Sequence, residues 1–248
     1  MLGIIGGSGL TQLSNLEITR REVVRTPYGE PSGALTFCAL DGHEVVFLAR
    51  HGYGHTIPPH AVNYRANIWA MHAQGVSELA SVASVGGIRA DLKPGALAVP
   101  HQIIDYTYGR AHTFFDGAEQ PVTHIDFTQP YCQSLREELL KAAISEKISI
   151  VDGGVYGATQ GPRLETATEI DRLERDGADM VGMTGMPEAA LAREIGLCFA
   201  SVTVVANWAA GRGDSAEAVN LDVIRTFLEE AMVKVRTLLA RLIDNHAD

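Results

Sequence analysis

Residues 198–206 read Cys198-Phe199-Ala200-Ser201-Val202-Thr203-Val204-Val205-Ala206, a run without a single charge. A stretch so apolar and so rich in β-branched residues predicts a strand buried on both faces. Such a strand needs helices on both sides of its sheet, and the flanking segments offer them. Upstream, Pro187 opens a predicted helix to Gly196, and a short strand over Met180–Met183 precedes it. Further upstream are a helix over Glu165–Arg175, an extended stretch over Ile148–Thr159 around Gly153-Gly154, and a helix over Gln129–Ser145. Ala96–Pro100 and Leu79–Val85 read as strands, the latter running into Gly86-Gly87. Pro58–Ala73 reads as one helix with Val62, Ala66, Trp69, Ala70 and Ala73 on a shared face. Ala34–Leu40 and Glu44–Arg50 flank Asp41-Gly42, a hairpin signal. Leu2–Ile5 is a short strand feeding the turn Gly6-Gly7-Ser8-Gly9.

Downstream, apolar residues recur at Leu221, Ile224, Leu228, Ala231, Val235, Leu238 and Leu242 within Ala216–Asp244. The spacing fits a coiled coil or a long amphipathic helix closing over a sheet, and the second is the simpler account. Strands and helices alternate throughout, so the expected class is α/β with a twisted, mainly parallel or mixed central sheet flanked by helices. One domain over 1–248 is the simplest organisation, although the length alone also allows two.

Composition narrows the function. A formal charge of −10 argues against a nucleic-acid binder, which needs a basic stripe, but not against a small anionic substrate. No run approaches the length of a membrane span, and the N-terminus lacks the features of a secretion signal. Cys38, Cys132 and Cys198 are odd in number, widely spaced and without a C-x-x-C, which predicts buried free thiols in a reducing cytoplasm. Familiar motifs fail. Gly6-Gly7-Ser8-Gly9 is followed by Leu10, so it is no nucleophile elbow, and it has neither dinucleotide spacing nor a P-loop lysine. His51 and His55 have a zinc-like spacing, but the intervening glycines and following prolines oppose a helix there, so no metal is expected.

The stretch ARHGYGHTIPPHAVNYRANIWA at 49–70 closely resembles the methylthioadenosine phosphorylases, relatives of the purine nucleoside phosphorylases. The resemblance extends through IIGGSGL near the N-terminus, SVGGIRADLKPG at 84–95, TQGPRLET at 159–166 and the run from 181 to 207, so it spans nearly the whole chain in order. It implies a phosphorylase-like single-domain fold, partly barrel-like, and attack of inorganic phosphate on C1′ of a nucleoside. Phosphate is then a co-substrate, and no metal or organic cofactor is implied. It also implies a homotrimer, with His124 reaching across the subunit interface.

By the same resemblance, Ser8, Arg50, His51, Ser84, Val85 and Thr184 form the phosphate site. The Ser8 hydroxyl, the bidentate fork of Arg50 and the backbone near Ser84 and Val85 all suit an oxyanion. Ser8, Arg50 and Thr184 have plain alternatives as a turn residue, a surface cation and a helix cap. Met183 matches the residue under the ribose, or is simply a core methionine. Leu221 and Ile224 match an apolar 5′ pocket suited to a methylthio group, or are plain core.

The chain departs from the adenine-specific pattern at the base. Asn207-Trp208-Ala209 stands where those relatives carry Asp-x-Asp. An asparagine can donate to O6 and accept from N7–H, so Asn207 suits a 6-oxopurine, while Ala209 removes the second carboxylate. Glu165, beside Leu164, can accept from N1–H of hypoxanthine but opposes the lone pair on N1 of adenine. Its alternative is a helix N-terminal carboxylate. Asn207, His51 and Ser8 are thus the expected catalytic group. The expected reaction is phosphorolysis of methylthioinosine to hypoxanthine and methylthioribose 1-phosphate. The alternatives are a 6-aminopurine substrate, a broader 6-oxopurine enzyme or a non-catalytic nucleoside-binding protein.

Overall fold

The computed structural model describes residues 1–7, 10, 16–40, 42–117 and 120–246, and the side chains of residues 221–223 and 225 lie outside that description. Within these limits the chain forms eleven strands and five α-helices in one mixed sheet system. The expected strand is β11, Cys198–Trp208, and it pairs in parallel along nearly the whole of β5, Glu78–Gly87. Its side chains alternate as a doubly covered strand requires. Phe199 enters one core with Leu191 and Ala192 of α4 (Gly185–Glu194) and Ile68 and Met71 of α1 (Tyr64–Ala73). Ala200, Val202 and Val204 enter the other, with Leu135 and Leu139 of α2 (Gln133–Ser145) and Val235 and Leu238 of α5 (Leu221–Asn245). The apolar repeat of α5 therefore closes over the sheet, with α2 beside it, rather than forming a coiled coil.

β5 is where the sheet divides. Its first residues pair in parallel with β1 (Leu2–Gly6), whose other edge carries β4 (His43–Ala49) and then β3 (Leu35–Leu40). Its last residues, Gly86 and Gly87, pair instead with β10 (Met180–Gly182), which runs antiparallel to it. β9 (Val155–Ala158) and β7 (Gln102–Asp105) continue beyond β10, while β6 (Leu97–Val99) and β8 (Val151–Asp152) extend from β11. Between Ser81, the last β1 partner, and Gly86 the β5 edge has no strand beside it. The pairings branch here and do not close into a ring among the described residues. A break of this kind at the carboxyl ends of parallel strands leaves backbone groups free to meet a ligand.

Several boundaries differ from expectation. The predicted Pro58–Ala73 helix splits into a 3₁₀ turn at Pro59–Ala61, an extended Val62, and α1. Asn63 causes the split, because its Oδ1 accepts from the Ala66 amide at 3.1 Å and starts the helix afresh. α3 spans Ala167–Arg175 and begins behind a capping box of Thr166 and Glu169, not at Glu165. Sequence reading misses β2 (Glu17–Glu22) and β7, both short strands at the ends of the sheet path, because neither buries enough apolar surface to show a pattern. Asp41 of the predicted hairpin turn lies outside the described residues.

The cysteine expectation is corrected. Cys132 and Cys198 form a disulfide, and only Cys38 is a free buried thiol. Residues 66 apart in sequence meet because the Cys132 amide donates to the Phe199 carbonyl at 2.8 Å, tying the start of α2 to the start of β11. Their Cα atoms are 5.1 Å apart, within disulfide range. Among the described residues no helix is long and apolar enough to cross a membrane.

Candidate functional site

A cavity of about 300 Å³ opens at the break beside β5, at the carboxyl ends of β1, β4, β5 and β11. Its size is that of a small-molecule site. Arg50, His51, Ser84, Val85, Thr184, Met183, Leu164, Glu165, Asn207, Ala209 and Ile224 all line it. Residues drawn from widely separated parts of the chain, and expected on resemblance alone to act together, therefore share one cavity.

Each reaches it for a local reason. Arg50 and His51 follow β4 directly, and Ser84 and Val85 lie on the unpaired edge of β5. Thr184 stands at the start of α4, where its side chain makes no capping bond. Asn207 is turned inward by a bulge in β11, since Val205 pairs with Val85 but Asn207, not Ala206, pairs with Gly86. One extra residue upsets the alternation, so that Ala206 and Asn207 line the cavity as consecutive residues. Gly161, with φ of +62°, brings the 159–166 loop against β10 so closely that a Cβ there would collide with the Met183 sulfur.

The wall expected to hold phosphate is built around a buried ion pair. Arg50 is 2% exposed, and its guanidinium faces Glu188, which is fully buried on α4. Nε donates to Glu188 Oε1, and Nη2 donates to Glu188 Oε2 at 3.0 Å and to Ser81 Oγ at 2.7 Å. Nη1 donates to the Val82 carbonyl at 3.0 Å, one of the groups left unpaired by the break in β5. This corrects the reading of Arg50 as a free fork for phosphate. Glu188 holds the fork, and one N–H of Nη1 remains for a ligand. Burial opposes the charge on Arg50, but the adjacent carboxylate more than offsets it, so the guanidinium stays protonated.

His51 is held neutral. Burial, then the positive charge of Arg50, lowers its pKa to about 4, against the opposing pull of its bond to Ile57. Its Nδ1 lies 2.8 Å from the Ile57 carbonyl, so the neutral ring donates there and presents Nε2 as an acceptor. The His55 ring lies beside it, tilted by 34° with centroids 4.4 Å apart, and also lines the cavity, whereas its spacing in the sequence suggests only a metal ligand.

Glu165 and Asn207, the two residues expected to read the base, each make an internal hydrogen bond. Glu165 Oε1 accepts from the Thr159 hydroxyl at 2.6 Å. It immediately precedes Thr166, the N-cap of α3, whose first-turn acid is Glu169, and it lines the cavity. Asn207 Nδ2 donates to the Trp208 carbonyl at 2.6 Å, which engages one amide hydrogen and leaves one N–H and the side-chain oxygen. Val219 adds an apolar wall next to Ile224.

Two expected residues fall outside the described set, and a third is placed away from the cavity. Ser8 lies outside the described residues, although its neighbour Gly7 lines the wall. The side chain of Leu221 is also outside them. His124 is exposed on the segment before α2 and does not line the cavity. Glu188 had one signal in the sequence, a lone carboxylate in the apolar stretch GMPEAALA. Ser81, which shares its ion pair, had none.

Comparisons with known proteins agree on one family. The model of the phosphorylase superfamily matches residues 1–244. A probable S-methyl-5′-thioinosine phosphorylase of Pseudomonas syringae pv. tomato is 51% identical over 240 residues, 97% of each chain. The 6-oxopurine nucleoside phosphorylase of Pyrococcus furiosus is 42% identical over 246 residues, covering 97% of this chain and 91% of that one. Among solved structures, methylthioadenosine phosphorylase from Schistosoma mansoni in complex with adenine superposes with a TM-score of 0.93 at 32% identity, over 99% of this chain and 91% of that one. With the whole fold and nearly the whole length matched, this chain belongs to the phosphorylase superfamily.

Proposed function

We propose that the protein is a phosphate-dependent pentosyltransferase that cleaves S-methyl-5′-thioinosine to hypoxanthine and 5-methylthioribose 1-phosphate. The observation that carries this reading is that Glu165 and Asn207, from a loop and a strand far apart in sequence, line one cavity with unused hydrogen-bonding capacity complementary to a 6-oxopurine. Adenine would set its N1 lone pair against the Glu165 carboxylate, a buried mismatch that discriminates strongly.

In the reaction a phosphate oxygen forms a bond to C1′ as the C1′–N9 bond breaks. The bonding electrons go to the purine, and the proton that hydrogen phosphate gives up on becoming the sugar phosphate ester ends on N7, so that the base leaves as neutral hypoxanthine. Asn207 accepts from that N7–H through its oxygen and donates to O6, where negative charge develops. Phosphate sits near Ser84, Val85 and Thr184, within reach of the remaining Arg50 N–H, with Ser8 of the N-terminal glycine turn completing the group. The neutral His51 offers Nε2 to a protonated phosphate oxygen. Met183 lies under the sugar. Ile224 and Val219, with Leu221, receive the methylthio group. Phosphate is a co-substrate, and the reading needs neither metal nor organic cofactor. It further includes a homotrimer in the cytoplasm, with His124 contributed to a neighbouring subunit's site. The relative from Pseudomonas syringae named above supports the substrate, being itself named for it.

The relatives named for 6-oxopurine and methylthioadenosine substrates define the competing activities. Base release is measured from methylthioinosine, methylthioadenosine and inosine, each with and without phosphate, for the wild type and Asn207→Asp. The wild type is expected to prefer methylthioinosine by at least tenfold, only with phosphate present, and the variant to move toward methylthioadenosine. Preference for inosine would contradict the apolar 5′ pocket, and wild-type preference for methylthioadenosine would contradict the base reading.

A further inference from the structure

Arg110 lies outside every motif discussed above, in the loop between β7 and α2. It is 7% exposed and does not line the cavity, yet its guanidinium sits behind two of the cavity's walls. Nη1 donates to the Met183 carbonyl at 2.9 Å and to the Met186 carbonyl at 2.5 Å. Nη2 donates to the Thr159 carbonyl at 3.2 Å and the Gln160 carbonyl at 2.9 Å. Nε donates to Gln160 Oε1 at 3.2 Å, and the Tyr64 hydroxyl lies 3.2 Å from Nη1.

Apart from Tyr64 of α1, these partners belong to two chain segments, one before α3 and one after β10. One carries Met183, Thr184 and Glu188, the sugar platform and the phosphate side. The other carries Thr159 and Glu165, the base side. The single backbone bond from the Thr159 amide to the Gly182 carbonyl, 2.8 Å, and the weaker 3.3 Å approach of the Thr159 hydroxyl to the same carbonyl connect them at the ends of β9 and β10. Beyond that point the planar guanidinium bridges them, with one Nη on each segment. Its fixed fork sets the spacing between the two loops in a way that a flexible ammonium could not. A buried guanidinium is costly to desolvate. Here it is matched by backbone carbonyls at the back of a site, which is an expensive way to hold a surface loop but a direct way to fix two binding walls.

We infer that Arg110 is a positioning residue that fixes the distance between the phosphate side and the base side of the cavity, so that its loss separates the groups reading the purine from those holding phosphate. The inference rests on the phosphorolysis reading of the site. It predicts a specific failure: a weaker grip on phosphate and poorer base discrimination arising together from a residue that touches neither ligand.

The test compares wild type with Arg110→Lys and Arg110→Ala, each first shown to be folded by circular dichroism. For each, kcat and KM for phosphate and for nucleoside are measured, with the ratio of kcat/KM for methylthioinosine over methylthioadenosine. The expected result for both variants is a loss in kcat/KM of about a hundredfold, the scale of an ångström's misplacement, with a raised KM for phosphate and a base ratio moved at least tenfold toward unity. Methylguanidine should restore part of the activity of Arg110→Ala in a saturable manner. If Arg110→Ala does not fold, Arg110→Lys carries the test, because it keeps the charge and loses the fork. Unchanged phosphate KM and base ratio in a folded variant would overturn the inference, as would a loss of kcat alone. A wild type with no phosphate-dependent cleavage would instead refute the underlying reading of the site, so the two failures are distinguishable.

Discussion

His51 illustrates how far a residue's chemistry is set by its surroundings. Its ring is neutral at physiological pH because the charged form would be buried beside the Arg50 guanidinium. The unfolded chain protonates this histidine near its ordinary value of 6.5, whereas the folded chain resists protonation down to about 4. Between those values the unfolded state binds a proton that the folded state does not, so stability contributed above 6.5 is progressively lost as the pH falls. Urea denaturation of wild type and His51→Gln over this window should show the wild type losing stability more steeply on acidification. Parallel curves would mean that His51 titrates alike in the folded and unfolded chains, so that neither burial nor Arg50 disfavours its charged form.

At the scale of elements, the decisive feature is the break along β5. β1 stops at its partner Ser81, β10 begins at Gly86, and the edge between them is met by the side chain of Arg50. α4 makes this workable by placing Glu188 against the guanidinium. Glu188→Gln would leave a buried cation without its counter-charge, a change that costs about 3–5 kcal/mol when a buried pair is broken on one side. The loss is read from the urea midpoint, and a variant within about 1 kcal/mol of wild type would show that the pair is not what seats α4. The bulge in β11 is the complementary device, because it turns Asn207 inward at the end of a strand whose apolar residues from Phe199 to Val205 are committed to the two cores.

Across the whole molecule, the Cys132–Cys198 bridge closes a 66-residue separation and joins α2 to the first residue of the central strand. Loop-closure entropy for a loop of that size is worth about 4 kcal/mol, or roughly 10 °C in Tm for a chain of this length. Reduction, or Cys132→Ser, should therefore lower Tm by about that amount. Thiol titration of the denatured protein should find one free thiol before reduction and three after it. An unchanged Tm once all three thiols are free would show that the bridge adds nothing to stability. Cys38 stays unreactive in the folded chain, since burial raises its pKa to about 11.

What the sequence determined by itself was whatever is written in local pattern. The uncharged run of β11, the α5 repeat and the proline-led α4 give their own periodicity or its absence, and a doubly covered strand implies a layered α/β sheet. The chemistry of Asn207 and Glu165 was legible because hydrogen-bonding capacity belongs to the side chain wherever it stands. Tertiary structure alone decided which groups meet. The Arg50–Glu188 pair spans 138 residues, Arg110 reaches carbonyls 49 to 76 residues away, and the disulfide spans 66. Backbone carbonyls carry no sequence signature, and separation along the chain says nothing of proximity once strands cross over. Hence the fold and the hydrogen-bonding capacity of the residues proposed to read the base could be read in advance, while the scaffold that positions them became visible only when the sheet had brought distant segments together.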